Sequence, residues 1–240
     1  MCGRFYAPDE FSDIKIRLRA GDFVPAPNWE PNWNVAPTQD VLALRFDPTG
    51  GRVLEKMYWG LIPEGWVAKP KFPTFNARSE TVSSTNVFRA AWAAGRRCVV
   101  VSGGFYEWKK GNNGRQPYAI ARTNEPDTLL GGLWEDWTSP AGERLRTVTI
   151  LTTNANELIR PLHDRMPVII AEADLKKWIG EDPASEEDLK RMLQPFPASQ
   201  MRLWPVSDRI GNWRNNGADL VEPVSELDLD GAPSGQGRLI

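Results

Sequence analysis

Residues 98–108 read Cys98-Val99-Val100-Val101-Ser102-Gly103-Gly104-Phe105-Tyr106-Glu107-Trp108. The first four form a continuous apolar run of the length of a buried strand. A glycine pair interrupts it, and a second, aromatic run begins. Further strand signals follow at 118–122, 129–134 and 146–152, with no helical period between them. Such a succession lacks the regular β-α alternation of a doubly wound sheet and favours a single-domain α+β fold. Toward the N-terminus, 41–46 and 53–62 read as strands around the turn Asp47-Pro48-Thr49-Gly50-Gly51. Ser84 or Thr85 can cap a helix over 84–94, with Val87, Phe88, Ala91 and Trp92 apolar and Gly95 as its stop. A short, imperfect helix falls within 9–20, and the Pro- and Asn-rich stretch 21–37 reads as an ordered loop. Toward the C-terminus come a short helix at 156–161, a strand at 168–170, helices at 175–179 and 186–193, and a last strand at 201–206. From Pro223 on, Pro, Gly, Ser and Asp dominate, so a domain over 1–222 is predicted to end in a disordered tail, 223–240.

The chain has 240 residues, 41% of them hydrophobic and 25% charged, enough to bury a sizeable core. No run of about 18 apolar residues exists, which excludes a transmembrane helix. The start, Met1-Cys2-Gly3-Arg4-Phe5, lacks the apolar stretch of a signal peptide. Two cysteines make no disulfide framework, and a reducing, cytoplasmic setting is expected. One histidine and two cysteines cannot form a four-ligand zinc site without carboxylates, and no Gly-rich phosphate loop or Cys-x-x-Cys occurs, so no cofactor is expected. The net charge of −2 argues against bulk nucleic-acid binding, but it is unevenly spread: residues 1–120 carry +5 and residues 121–240 carry −7. Between Lys71 and Arg122, nine basic residues face only Glu80 and Glu107, so a local positive face is expected on an acidic protein.

Cys2 carries the most distinctive chemistry. If Met1 is removed, one residue presents both a free α-amine and a thiol. An α-amine has a pKa of about 7.7–8.0, so much of it is unprotonated at neutral pH and able to attack an aldehyde. The thiol can then close onto the imine carbon to give a five-membered thiazolidine. In an extended strand Arg4 would share a face with Cys2 and could hold an anionic group. Asn76, in Asn76-Ala77-Arg78-Ser79-Glu80-Thr81, could present an amide to a sugar, and Arg78 could grip a phosphate. Glu107 is an acid among aromatics, a setting that raises a carboxyl pKa and suits proton transfer. His163 is the sole histidine, with Asp164 and Arg165 placed to orient it. Trp66, in a loop, could stack on a base. The plainer readings are a passive second residue, surface ion pairs, loop residues bonding their own backbone and a structural histidine. Cys98 reads as an inert core thiol.

Taken in order, Met1-Cys2-Gly3-Arg4-Phe5, Asn34-Val35-Ala36-Pro37, Trp59-Gly60-Leu61-Ile62-Pro63, Asn76-Ala77-Arg78-Ser79-Glu80-Thr81, Gly104-Phe105-Tyr106-Glu107-Trp108, Gly132-Leu133-Trp134-Glu135 and Leu162-His163-Asp164-Arg165-Met166-Pro167 resemble the SOS response-associated peptidase family of abasic-site processing proteins. The resemblance runs from residue 2 to about 210. It implies a bifurcated, barrel-like mixed sheet surrounded by helices. It further implies that Met1 is lost and that Cys2 crosslinks to abasic sites in single-stranded DNA. In that reading Asn76 positions the opened sugar, Glu107 assists ring opening and His163 shuttles protons. Arg4 and Arg78 hold flanking phosphates, and Trp66 supports the bent strand. The expected partner is single-stranded DNA with abasic sites, bound by a monomer with no membrane contact, nucleoid-associated when bound if the source is bacterial. Val101-Ser102-Gly103-Gly104 departs from the family's usual run before Phe-Tyr-Glu-Trp, and Val67 stands where some relatives carry a second aromatic, which leaves the setting of Glu107 and the strength of base stacking open. Three rivals remain. One is an N-terminal-nucleophile amidohydrolase of glutamine-amidotransferase type, which also begins Met-Cys-Gly. The others are a thiol peptidase acting on its own Met1-Cys2 bond and a non-catalytic single-strand binder.

Overall fold

The computed structural model describes residues 2–225, apart from Phe23 and Asn113. Its regular structure is mainly strand: β1 (Phe5–Ala7), β2 (Asn32–Val35), β3 (Asp40–Asp47), β4 (Gly51–Trp59), β5 (Asn76–Arg78), β6 (Arg97–Ser102), β7 (Gly104–Gly111), β8 (Gly114–Arg122), β9 (Thr128–Thr138), β10 (Arg144–Asn154), β11 (Arg165–Pro167) and β12 (Met201–Pro205). The helices are short: α1 (Phe11–Arg17), α2 (Arg89–Ala93), α3 (Leu175–Ile179) and α4 (Glu186–Met192). Strands β4, β3, β6, β9 and β10 pair in that order, and β10 closes the ring onto β4. All pairs are antiparallel except β10 with β4, where Val148 lies opposite Trp59. Closure leaves these five strands without an exposed edge.

β10 outruns the barrel, and there the sheet forks. On one side the pairing with β9 ends at Ile150, opposite Gly132, and β11 takes its place, pairing Asn154 with Arg165. On the other side β4 gives way to β5, which runs parallel with Asn76 opposite Ile150. A second, antiparallel sheet, β12-β8-β7-β1-β2, packs against this end. The expected bifurcated, barrel-like α+β fold is the one observed. Alternation along the barrel strands divides the apolar side chains. Val41, Ala43, Trp59, Cys98, Val100, Val148 and Ile150 join Cys2 and Phe5, Phe105 and Ile120 of the second sheet, Cys2 lying just before β1. Leu42, Leu44, Val99, Val101 and Leu133 pack instead with Ile14, Ala91, Leu175 and Trp178 of the helices. Strands covered on both faces lose the polar alternation of a half-exposed sheet, and Cys98–Val101 was readable for that reason.

Several expectations need correction. The helix predicted over 84–94 shrinks to α2, because the preceding residues form turns in which the Thr85 hydroxyl donates to the Thr81 carbonyl. Gly95, at φ +67°, ends it as expected. The predicted helix at 156–161 is only turns, Arg160 N–H donating to the Asn156 carbonyl. The predicted strand at 168–170 lies earlier, as β11, with one isolated bridge from Ile169 to Leu130. The supposed loop 21–37 contains β2. Gly103 and Gly104 have a steric origin: a Cβ on Gly103 would come within 2.5 Å of the Tyr6 ring, and one on Gly104 within 2.4 Å of the Ile120 carbonyl. Residues 223–225 are exposed, though Val224 N–H still donates to the Pro205 carbonyl. The remainder of the predicted tail lies outside the described residues.

Candidate active site

The fork between β5, β10 and β11 faces the start of β1. Cys2 lies there, wholly buried beside Phe5, Trp59, Ile150 and Met166. In the chain that carries Met1 this residue is therefore not the open terminus the sequence suggested. Burial, reinforced by the charge of Glu107, pushes its thiol well above the usual range, so a thiolate is strongly disfavoured. The thiol donates to the Arg4 carbonyl at 4.0 Å. Asn76 Nδ2 donates to the Cys2 carbonyl at 2.6 Å, while its Oδ1 is buried with no partner among the described residues. An amide with one end anchored and the other buried and unsatisfied is costly unless a ligand completes it. Its position follows from the strands. Phe75 carbonyl accepts from Ile150 N–H at 2.9 Å and from the Trp59 indole at 2.8 Å, so Asn76 is fixed from two sides.

Glu107 lies within β7, not on a loop. The register pairs Phe5 with Phe105, and Tyr106 N–H donates to the Arg4 carbonyl. Continuing it brings Glu107 opposite Gly3, next to Cys2. Its carboxyl is buried, and burial, with a contribution from Asp164, raises its pKa. His163 sits half-buried in the turn between β10 and β11, whose Leu158, Ile159 and Leu162 pack into the cluster around Cys2. Burial lowers its pKa and the nearby Lys110 adds to the effect, while Asp164 opposes it. Cys2, Asn76, Glu107 and His163 thus converge from four separate parts of the chain. Among the described residues no group of three His, Cys, Asp or Glu could hold a metal.

The three residues expected to hold DNA are placed differently. Cys2 and Arg4 do not share a face, since β1 begins only at Phe5. Arg4 turns away, its Nη1 donating to Asn34 Oδ1 and to the Ile210 carbonyl, both at 2.8 Å. Its Nε is buried and has no hydrogen-bond partner among the described residues. Arg78 is exposed at the end of β5, two residues from Asn76. Trp66 is half-buried against the helix-side core, and its carbonyl accepts from the Trp137 indole at 2.7 Å. The basic stretch is only partly a free face. Arg96 pairs with Glu64 and Glu135, Arg97 donates to the Trp178 carbonyl, and Arg122 pairs with Glu125. Lys71, Arg78, Arg89, Lys110 and Arg115 remain exposed.

One pair was missed. Buried Arg165 makes a two-toothed contact with Glu80, at 2.6 and 2.8 Å, and also donates to the Asn154 side chain and the Thr152 carbonyl. It ties the strand of Asn76 to the turn of His163 across β10. Both residues stood inside the motifs of the sequence, and opposite charges two residues beyond β5 and two beyond His163 were the available signal.

The profile of the SOS response associated peptidase (SRAP) family matches residues 1–213. "Abasic site processing protein YoqW" of Bacillus subtilis is 36% identical over 225 residues, covering 92% of this chain and 99% of its own. "Abasic site processing protein YedK" of Escherichia coli is 30% identical over 229 residues, covering 93% and 100%. A crystal structure of a protein from Bacteroides thetaiotaomicron superposes with a TM-score of 0.82 at 21% identity, over 93% of this chain and 100% of that one, and so shares the fold. With the ordered motifs, the forked barrel and the profile in agreement, this chain belongs to the SRAP family.

Proposed function

We propose that the mature protein processes abasic sites in single-stranded DNA by forming a covalent crosslink through Cys2. The observation that carries this reading is the convergence on Cys2 of Asn76, Glu107 and His163, with the Asn76 Oδ1 left buried and unsatisfied. Relatives named for abasic-site processing support the substrate class.

An abasic deoxyribose opens to an aldehyde. Burial favours the protonated Glu107 carboxyl, which gives its proton to the ring oxygen as the ring C–O bond breaks, and the anomeric hydroxyl gives a proton back to the carboxylate as the aldehyde forms. The Cys2 α-amine adds to the aldehyde carbon, and the carbinolamine loses water to form an imine. The Cys2 sulfur then bonds to the imine carbon, and the thiol proton passes to nitrogen. One C–N and one C–S bond form and one water leaves. Keeping the thiol protonated until the imine exists suits this order, because the amine is then the first attacker. Asn76 Oδ1 accepts from a sugar hydroxyl, and Arg78 lies where a flanking phosphate would pass. Removal of Met1 is required, and it must also uncover Cys2.

Mature protein mixed with single-stranded DNA carrying one abasic site gives a heat-stable adduct, and intact mass shows loss of Met1 and one DNA per chain. Cys2→Ala abolishes the adduct, and Cys2→Ser leaves at most an imine trapped by reductant. A stable adduct with Cys2→Ala makes a lysine the attacker and overturns the assignment. Glutamine turnover without an adduct makes the protein an amidohydrolase instead.

A further inference from the structure

The turn between β10 and β11 holds an arrangement the crosslinking scheme does not use. His163 Nδ1 lies 2.9 Å from the Arg165 backbone N–H and 2.7 Å from Asp164 Oδ1. The two partners make opposite demands on one atom. The backbone N–H can only donate, so it requires an unprotonated Nδ1 and places the proton on Nε2. The carboxylate can only accept, so it requires a proton on Nδ1. A single in-plane site cannot serve both.

Each partner therefore selects one form of the ring. With Arg165 N–H as partner, the neutral imidazole carries its proton on Nε2 and has no lone pair there to take a proton from a substrate. With Asp164 as partner, Nδ1 holds the proton, Nε2 is a bare lone pair and the ring acts as a base. When both nitrogens are protonated, Asp164 again is the partner. Nδ1 faces the turn in every case, so a proton is exchanged with a substrate at Nε2. Proton traffic in imine formation runs both ways, from the amine and to the departing hydroxyl; the Nδ1–H ring accepts at Nε2 and, as imidazolium, gives the proton back, whereas a ring locked as the Nε2–H tautomer cannot accept it.

We propose that Asp164 is a positioning residue that draws the proton of the neutral His163 ring to Nδ1, so that Nε2 accepts a proton and, as the imidazolium, returns it at the Cys2 site. This use in crosslinking rests on the function proposed above, whereas the tautomer preference does not. The charged groups around the ring are Asp164 and Arg165 on its own turn and Lys110 on β7. Glu107, also on β7, feels the charge of Asp164. The α-amine of the mature Cys2 adds a further titrating group. Asp164 is 83% exposed, so its replacement does not threaten the fold.

His163 is the only histidine in the chain, so its ring nitrogens are observed without assignment. Uniformly 15N-labelled mature protein, free of DNA, is titrated by long-range 1H–15N NMR. In the parent protein the neutral ring populates both tautomers. Asp164→Asn and Asp164→Ala collapse it to the Nε2–H form and move its titration down by about half a pH unit or more. In single-turnover crosslinking the same variants lower the rate and move the pH profile by a matching amount, with affinity for undamaged single-stranded DNA unchanged. An unchanged tautomer ratio and titration in both variants overturn the proposal. A shifted tautomer with an unchanged crosslinking profile confines Asp164 to the free protein and overturns its use in the reaction. Absence of any adduct in the parent protein, with the NMR shift present, overturns the crosslinking function alone.

Discussion

At the scale of single residues, the site joins groups whose proton affinities are set by burial. Glu107 is the clearest case. Burial holds its carboxyl above the usual range, so the folded chain binds this proton more tightly than the unfolded chain. The stability it contributes is complete below the unfolded pKa and is lost as pH rises through the folded value. Glu107→Gln removes that loss. Against the parent, its unfolding free energy in urea is expected to gain about 1 kcal/mol or more between about pH 5 and about pH 8. Its crosslinking rate is expected to fall by about 100-fold, because the amide cannot supply the proton for ring opening. A variant that gains stability yet crosslinks normally removes Glu107 from the chemistry. Cys2 presents the converse situation. Its thiol reactivity toward iodoacetamide is expected to be negligible while Met1 is present and to rise once Met1 is lost, as mass spectrometry of the two forms would show. Equal protection in both forms would leave the mature nucleophile sealed and end the crosslinking scheme.

At the scale of elements, two small features decide whether these residues meet. The first is the approach of β1 to β7 and β8, which leaves no room at Gly104. A methyl there would lie 2.4 Å from the Ile120 carbonyl and 2.6 Å from the Tyr6 hydroxyl. Backbone cannot yield as a flexible side chain does, so Gly104→Ala is expected to cost about 3 kcal/mol, read as a fall in the denaturation midpoint. The second is the Arg165–Glu80 pair. Glu80→Ala leaves a buried guanidinium short of its counter-charge, and a loss of about 2 kcal/mol is expected, with faster hydrogen exchange in β5 and β11 than in the barrel strands. Sequence reading saw the glycine pair as a break between strands, which it is, but the steric reason lies in Tyr6 and Ile120, far away in the chain. It saw the long barrel strands because both their faces are buried. It missed β2 and β5, three or four residues each, because strands that short carry no periodicity and exist only through pairing with β1 and β10. Asn76 was nonetheless singled out from its motif. The element that holds it was not legible, because that element is made by its neighbours.

At the scale of the molecule, charge decides how a polyanion reaches a site on a protein of net charge −2. The excess of basic residues over 71–122 was visible in the sequence. Their distribution was not, because three of the arginines turn out to hold the fold through Glu64, Glu135, Glu125 and the Trp178 carbonyl. Arg4 is likewise engaged by Asn34 and Ile210 and sits on the other side of the terminus from the Cys2 thiol. Under the proposed function, phosphate contacts are therefore expected mainly from exposed cations, with Arg78 beside Asn76 and Lys110 beside His163 nearest Cys2. Two or three such contacts to a single strand imply that log K falls with log salt at a slope of about −1.5 to −2, since each phosphate neutralised releases about 0.7 of a counterion. Fluorescence anisotropy with undamaged single-stranded DNA measures this directly. Arg78→Gln is expected to make the slope shallower by about 0.7, whereas Arg4→Gln is expected to leave the slope nearly unchanged and to act through stability. Equal losses of slope would return Arg4 to the phosphate path, and a salt-independent affinity would remove phosphate contacts from recognition, leaving the buried aldehyde chemistry to select its substrate unaided.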